Sequence, residues 1–380
     1  MSKVSIVDCK SYNQKEVDKA VKEAIDKIRF KIKPKSKVLL KPNVLMAAKP
    51  EKSITTHPSI LEAVCKILKE KNCKIIIGES FGVITKSAEE TFKIVGYDKI
   101  AKKYNAQLLS FSCDLQKEIK NPKAVFAKKM LLPITLSEVD LIINLPKFKT
   151  HTLMVFTGAV KNLFGCIAGG KKQAYHAETK TREKFANMLL DIWMNVKPQL
   201  TIMDGVIGME GNGPSNGSPV KLDLIMASDN AIALDLVAGD MIGFKGKILT
   251  NNFALKRKLI DKSKIEIKGK IKKLKFKKPS TITIPNWLSS FALKKVMAYP
   301  KVLEDKCKKC WTCVQVCPVN AMQKKKIPVC DKKVCINCYC CHEMCPYDAI
   351  ELEKSKFFTF ILRIYQKLMK KGKAKGRKRT

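Results

Sequence analysis

The chain has 380 residues, and 74 Lys and Arg against 34 Asp and Glu give it a formal net charge of +40. This length predicts two or three domains, and the positive charge favours an anionic partner such as a phosphorylated ligand, an acidic protein, a nucleic acid or a membrane surface. The 15 cysteines, the absence of an apolar core in the first residues MSKVSIVDCK, and the lack of a long uncharged apolar run argue against a secreted disulfide scaffold or a membrane-spanning chain. We therefore expect a cytoplasmic protein.

Short apolar runs alternate with longer helical patterns over residues 1–245. The predicted strands are Val4–Val7, Val38–Leu40, Ile75–Ile77, Leu141–Asn144, Leu200–Met203 and Leu222–Met226. The predicted helices are Gln14–Ile28, Pro58–Lys69, Ser87–Val95, Glu183–Asn195 and Asn230–Met241. Such alternation predicts an α/β domain with a mostly parallel sheet and helices on both faces. The Lys-rich residues 246–300 are interpreted as an extension or linker.

Polar motifs directly follow four of these strands. They begin at Lys41, Gly78, Asn144 and Asp204. Because ligands of an open parallel sheet bind at the carboxyl ends of its strands, we expect the four motifs to meet in one crevice. The alternative is that they are ordinary polar turns.

The residue types in and around these motifs suggest a site for an anionic ligand. The candidates for proton transfer are His57, Glu79 and His151. The candidates for ligand binding are Lys41, Asn43, Lys147, Lys161, Asn162, Lys171 and His176. A metal site built from three of the histidines and a purely structural role both remain open. Gly165–Lys172 resembles a phosphate-binding loop but has Lys where Ser or Thr would hold Mg²⁺, so an anion-binding loop is favoured over a nucleotidase.

Eight cysteines form two copies of the pattern C-x2-C-x2-C-x3-C-P. The first copy is Cys307, Cys310, Cys313 and Cys317, and the second is Cys335, Cys338, Cys341 and Cys345. Bacterial ferredoxins bind [4Fe–4S] clusters with this run, and the fourth cysteine of each run ligates the other cluster. The spacing therefore predicts two clusters in a small α+β module at residues 301–352. One would be held by Cys307, Cys310, Cys313 and Cys345, and the other by Cys335, Cys338, Cys341 and Cys317.

Structural zinc is the alternative, because C-x2-C pairs also bind zinc. Zinc would not explain the third cysteine of each run, the proline or the repeat after 28 residues, from Cys307 to Cys335. Two further cysteines, Cys330 and Cys340, are expected not to be ligands. Cys330 is interpreted as a packed thiol.

The last segment, residues 353–380, contains 11 Lys and Arg against one Glu. Apolar residues between 357 and 369 follow a helical pattern, and the segment after them is almost wholly basic. The first interpretation is a helix docked on the protein with a basic tail. The second is an interfacial helix with a polybasic anchor, in which residues 354–380 bind an anionic membrane surface at the inner membrane face. Nucleic acid is an unlikely partner.

Several motifs together resemble the domain of unknown function 362 family, which is often followed by a ferredoxin module. The matching stretches are Lys41-Pro42-Asn43, Thr55-Thr56-His57-Pro58, Gly78-Glu79-Ser80, Pro146–His151 and Thr157–Gly165. The resemblance covers about residues 1–245 and implies an iron–sulfur protein, but it supplies no reaction. Around the second cysteine run, Cys340 and the pair His342-Glu343 replace the small residues usual near such clusters.

These observations predict an electron-transfer or oxidoreductase component with a redox partner protein and an anionic small molecule in the α/β crevice. A non-enzymatic electron carrier or assembly factor that recognises a protein is the second hypothesis. A peripheral membrane or nucleic-acid binder with structural clusters is the third.

Overall fold

The computed structural model describes residues 1–81, 87–169, 171–279 and 299–353. The chain divides into two compact units, Met1–Ser280 and Thr281–Thr380. The amphipathic pattern at 357–369 and the basic tail lie outside the described residues. Within the described residues, no helix combines the length and the apolar character that crossing a membrane requires.

The first unit is an α/β domain. Its strands are β1 (Ser2–Asp8), β2 (Lys37–Pro42), β3 (Lys74–Glu79), β4 (Gln107–Ser110), β5 (Gln116–Lys120), β6 (Lys129–Pro133), β7 (Leu141–Leu145), β8 (Lys147–His151), β9 (Val155–Thr157), β10 (Leu200–Glu210), β11 (Ser218–Ser228) and β12 (Ile265–Lys268). Its helices are α1 (Gln14–Lys27), α2 (Pro58–Glu70), α3 (Ala88–Ile94), α4 (Tyr97–Tyr104), α5 (Thr135–Glu138), α6 (Ala159–Asn162), α7 (Lys171–Thr179), α8 (Arg182–Val196), α9 (Ala231–Met241) and α10 (Leu249–Lys256). Short 3-10 turns occupy Pro50–Lys52, Leu163–Cys166 and Lys262–Lys264.

The main sheet is mostly parallel. Its strand order is β12-β1-β11-β10-β7-β2-β3-β4, and β8 and β9 extend it beside the second half of β10. β11 runs antiparallel to both of its neighbours, whereas β10, β7, β2, β3 and β4 are parallel. The carboxyl ends of β3, β2 and β7 therefore lie side by side. The fourth predicted motif begins at Asp204, which lies within β10 because that strand continues to Glu210.

The central strands are apolar on both faces because helices cover both. On one face, Leu40, Ile77 and Ile143 belong to a core that also contains buried side chains of α1, α2 and α4. Strand side chains alternate, so Leu39 and Ile142 point to the opposite face. On that face, α9 contacts β1, β10 and β11, and α6 contacts β7. The predicted α/β class with helices on both faces is confirmed.

Two stretches depart from the sequence-based boundaries. Residues 246–300, interpreted as an extension or linker, contain α10 and β12, and β12 pairs in parallel with β1. Residues 147–151 were read as a polar motif after a strand, yet they form β8, in which every residue is buried. The boundary at residue 245 stays a prediction.

The second unit is built as a repeat. Its described elements are β13 (Tyr299–Val302), α11 (Thr312–Gln315), β14 (Met322–Lys324), β15 (Pro328–Cys330), α12 (Cys340–Glu343) and β16 (Ile350–Glu353). β14 pairs with β15, and β13 with β16, both antiparallel. The helices lie 28 positions apart, and three pairs of non-glycine residues at the same offset adopt left-handed φ angles of 51–62°: Lys309 and Asn337, Trp311 and Tyr339, Asn320 and Asp348. The repeat in the sequence is thus also a repeat of backbone conformation.

Candidate functional site

The eight cysteines of the two runs line two cavities in the second unit. Cys307, Cys310, Cys313 and Cys345 line the first. Cys317, Cys335, Cys338 and Cys341 line the second. Each set contains three cysteines of one run and the fourth cysteine of the other run. The same partition follows from the spacing of the two runs.

The surroundings of these sulfurs fit a [4Fe–4S] cluster. Four thiols are the donor set that such a cluster takes, and the other lining residues are mostly apolar. The backbone N–H of Ala321 donates to Cys317 Sγ at 3.1 Å, and that of Ala349 to Cys345 Sγ at 3.3 Å. Such bonds stabilise negative charge on ligand sulfur. Within the described ranges, no three His, Cys, Asp or Glu side chains form a group that could hold a metal ion. We therefore define the two sets of cysteines by the cavities that they line.

The two remaining cysteines of this unit contact ligand candidates of the second cavity. Cys330 lines that cavity. A hydrogen bond from the Cys330 thiol lowers the pKa of Cys335 to about 7. The Cys340 thiol hydrogen-bonds to Cys338, and this bond together with burial raises the pKa of Cys340 well above its usual value. The position of Cys330 inside the cavity was not foreseen from the sequence.

In the first unit, the motifs after β2 and β3 meet in a buried ion pair. Lys41 Nζ lies 2.5 Å from Glu79 Oε2, and the two side chains are 0% and 2% exposed. Lys41 Nζ also donates to the carbonyl of Pro42 at 2.9 Å. Glu79 accepts from the backbone N–H groups of Ser80 and Val44. Both charges are therefore compensated inside the protein.

Two asparagines connect this pair to β7 and α6. Asn162 Nδ2 donates to the Lys41 carbonyl at 3.2 Å and to Asn144 Oδ1 at 2.8 Å. Asn144 Nδ2 donates in turn to the carbonyl of Ala159. Gly165 packs directly against the ion pair, because a Cβ at this position would overlap the Glu79 carboxylate and Lys41 Nζ. Residues of the Thr157–Gly165 motif thus contact both members of the ion pair.

A second network joins Lys147, the first residue of β8, to Asp204 within β10. Lys147 Nζ donates to Asp204 Oδ2 at 2.8 Å and to the Tyr12 hydroxyl at 2.6 Å. The Tyr12 hydroxyl donates to Asp204 Oδ1 at 2.9 Å, and the backbone N–H of His57 donates to Asp204 Oδ2 at 2.9 Å. Lys147 is 1% exposed, and burial lowers its pKa against the opposing effect of Asp204.

His57 lies at the edge of this second network. Its ring stacks on Tyr12 with 3.6 Å between ring centroids, and its Nδ1 accepts from the backbone N–H of Ser59 at the start of α2. Burial is the main cause that lowers the pKa of His57 to about 4, and Lys147 adds to it. His57 is therefore neutral at pH 7.

A third group gathers basic side chains near α6 and α7. Burial lowers the pKa of His151 far below its usual value, and the charges that act most strongly in the same direction are those of Lys161 and Lys149. Burial also lowers the pKa of His176 to about 3, and Lys161 and Lys172 contribute. We call Lys149, His151, Lys161, Lys172 and His176 the basic cluster.

The members of the basic cluster differ in their contacts. Lys172 Nζ donates to the backbone carbonyls of Ser80 and Phe81, and burial lowers its pKa to about 8. Lys149 Nζ donates to the carbonyl of Ile54 at 2.7 Å. Lys161 is half-buried, and its Nζ lies 6.0 Å from the centroid of the Phe164 ring.

The predicted residues thus fall into separate groups. Lys41, Glu79 and Asn162 share one network, Lys147 and His57 the second, and His151, Lys161 and His176 the basic cluster. Lys171 is exposed. Asn43 is half-buried, and its side-chain oxygen has no hydrogen-bond partner among the described residues. The sequence analysis did not select Tyr12, Lys149 or Lys172. Lys149 stands in the motif at 147–151 and could have been found there, whereas Tyr12 stands in no motif.

Comparisons with known proteins find a different family in each of the two units of the chain. The family model described as "Domain of unknown function (DUF362)" matches residues 38–240, and that of a 4Fe-4S binding domain matches residues 300–323. A curated relative, a thylakoid-associated protein of Synechocystis sp., is 33% identical over 214 residues. The alignment covers 56% of this chain and 64% of the relative, so the chain spans less than two thirds of the relative's length.

One solved structure is also similar. It is the lactate racemase apoprotein from Thermoanaerobacterium thermosaccharolyticum, with a TM-score of 0.40 and 15% identity, over 63% of this chain and 57% of that chain. The family match covers more than half of the 380 residues. The chain therefore belongs to the DUF362 family, and it is an iron–sulfur protein in which that domain is joined to a 4Fe-4S binding domain.

Proposed function

We propose that the chain is an electron-transfer component that binds two [4Fe–4S] clusters and serves a redox partner protein. The observation that carries this proposal is the pair of cavities, each lined by three cysteines of one run and the fourth cysteine of the other run. When bound, clusters of this type exchange single electrons. The chain's own residues would supply the thiolates, the N–H groups of Ala321 and Ala349 that face ligand sulfur, and an apolar surround that limits water.

Paired substitutions test both the number of clusters and the exchange of the fourth cysteine. Anaerobically prepared wild type should contain about eight iron and eight sulfide per chain. Cys307→Ala/Cys345→Ala removes two ligands of one cavity and should leave about four of each. Cys307→Ala/Cys317→Ala removes one ligand of each cavity and should lose more. The two variants lack the same number of cysteines and therefore control for each other.

Three results would contradict this proposal. About four iron per wild-type chain would mean that a single cluster is bound. Equal iron losses in both paired variants, or a larger loss in Cys307→Ala/Cys345→Ala, would mean that the runs do not exchange their fourth cysteine. Zinc in place of iron would support the structural alternative.

We also propose that the α/β unit binds an anionic ligand at the basic cluster. Support comes from three lysines of this cluster, Lys149, Lys161 and Lys172. Burial lowers the pKa values of the two buried histidines, and the charges of these lysines lower them further, so that both histidines are neutral at pH 7. The free energy of holding like charges together falls when an anion binds among them. Lys41 and Lys147 contribute less to this proposal than the sequence suggested, because each forms a buried ion pair with a carboxylate. Lys161 is the candidate of the sequence analysis that fits best.

Sulfate, phosphate and small dicarboxylates should first be screened by thermal shift on the wild type. Lys161→Met should then weaken the anion that binds by about ten- to a hundredfold, as for a lost charge-assisted contact of about 1.5–3 kcal/mol, without lowering the melting temperature. Lys147→Met is the matched control, and it should lower the melting temperature because it leaves Asp204 buried without its cation. An unchanged affinity in Lys161→Met would reject this placement of the ligand.

An enzymatic reaction and a pure carrier role predict different behaviour. If the α/β unit is a site of reduction, a reducible anion that binds there, such as an unsaturated dicarboxylate, should accept electrons and reoxidise the dithionite-reduced protein. If the unit recognises only a partner, the anion should leave the reduced absorbance unchanged. Measuring that absorbance under anaerobic conditions decides between the two.

A further inference from the structure

The repeat of the second unit allows each cavity to serve as a reference for the other. A residue in the first half corresponds to the residue 28 positions later, as Cys307 does to Cys335. By this rule Val302, at the end of β13, corresponds to Cys330, at the end of β15. Each of the two lines its own cavity. A thiol in one cavity therefore replaces an apolar side chain in the other.

A second corresponding pair shows what the halves have in common. Thr312 Oγ1 lies 3.4 Å from Cys310 Sγ, and the Cys340 thiol hydrogen-bonds to Cys338. Thr312 and Cys340 correspond, as do Cys310 and Cys338. Each half thus places a side-chain hydrogen-bond donor on the sulfur of its second cysteine, so this contact does not distinguish the cavities.

The contact of Cys330 does distinguish them. Cys330 lines the second cavity together with Cys335, the first cysteine of the second run, and a thiol can donate a hydrogen bond to ligand sulfur. The corresponding pair in the other half is Val302 and Cys307, and a valine side chain has no donor. The second cavity therefore has a side-chain donor at a position where the first cavity has none.

We propose that Cys330 is a hydrogen-bond donor to the second cluster and raises its reduction potential, without being one of its ligands. The inference rests on the proposed function, since it requires a cluster in each cavity. Hydrogen bonds to ligand sulfur stabilise the additional negative charge of a reduced cluster, and they are among the features that set the potentials of iron–sulfur proteins. The four ligands remain Cys335, Cys338, Cys341 and Cys317.

Exchanging the two corresponding residues tests this role. Cys330→Val should lower the potential of one of the two transitions in an anaerobic redox titration monitored by electron paramagnetic resonance, and should leave the other in place. Val302→Cys, the matched control, should raise the potential of the other transition. Iron and sulfide should stay at the wild-type content in both variants, because no ligand is removed.

The outcomes distinguish this inference from the two-cluster function on which it rests. A wild type with a single cluster would reject the two-cluster function. Two clusters whose potentials are unchanged in Cys330→Val would reject the tuning role alone. Loss of about half the iron in Cys330→Val would also overturn it, because Cys330 would then be a ligand. A lowered potential at full iron content, with retained near-ultraviolet circular dichroism, supports it.

Discussion

Replacing Lys41 by Met separates a structural lysine from a ligand-binding one. The Lys41–Glu79 pair is almost completely excluded from solvent, and Glu79 Oε2 lies 2.5 Å from Lys41 Nζ. Met keeps much of the volume but leaves the Glu79 carboxylate without its cation. Breaking a buried ion pair in this way destabilises a protein by about 3–5 kcal/mol. At about 2–4 °C per kcal/mol, the melting temperature of the α/β unit should fall by about 6–20 °C.

Thermal unfolding followed by circular dichroism measures this change. Lys103→Met is the control, because it removes the lysine of an exposed pair with Glu62, and it should leave the melting temperature nearly unchanged. Adding Glu79→Gln to Lys41→Met should recover part of the lost stability, since the uncompensated charge is removed. We expect the effects of the two single changes to be non-additive by about 0.5–3 kcal/mol.

The opposite result would refute this reasoning. If Lys41→Met kept the wild-type melting temperature and lost affinity for an anion, the lysine would bind a ligand and would not be held by Glu79. Additive effects in the double variant would likewise show that the two side chains do not interact.

Three further outcomes are expected. Gly165→Ala should lower the melting temperature, because its Cβ would overlap the Glu79 carboxylate, and overpacking of this kind costs about 1–3 kcal/mol; an unchanged melting curve would contradict the tight closure of the network. Sulfate affinity should fall by roughly tenfold from pH 7 to pH 9, because Lys172 has a pKa of about 8 and is mostly neutral above it. Lys172→Arg stays charged and should remove this pH dependence. If the dependence persists in the Arg variant, another group causes it. Deletion of residues 354–380 should weaken binding to vesicles with anionic lipid and leave the iron content unchanged, and the difference should shrink with salt; equal partitioning of both proteins would reject a membrane role for the tail.

The sequence predicted the sheet well where strands are apolar. Val38–Leu40, Ile75–Ile77 and Leu141–Asn144 all lie within strands of the parallel sheet. Such runs carry their own signal, because a strand covered by helices on both faces must be apolar on both. The class of fold could therefore be predicted without any long-range information.

β8 shows where this approach fails. The stretch Lys147–His151 contains three basic residues, so its composition does not indicate a strand, yet it forms one in which every residue is buried. Asp204 compensates Lys147 from β10, 57 positions away in the chain, and local patterns do not contain such a pairing. For the same reason the sequence suggested Lys41 and Lys147 as anion ligands although each has a carboxylate partner.

The cysteine module was predictable for a different reason. The spacing of the ligands is a local property of the sequence. The two copies of the pattern, 28 residues apart, therefore predicted which four cysteines form each set. The placement of Cys330 was not predictable in this way, because it depends on how the two hairpin strands β14 and β15 pair.

The small core of the second unit links its folding to cofactor supply. Three of the six buried residues in that core are the ligand candidates Cys313, Cys341 and Cys345. Units of this size draw only a few kcal/mol from their hydrophobic core, and each left-handed non-glycine residue costs about 1 kcal/mol or more. We therefore expect the free thiol form to be only marginally stable and metal uptake to provide much of its folding free energy. In a cell short of iron, proteolysis of the chain should begin here, and limited digestion before and after cluster reconstitution would reveal it.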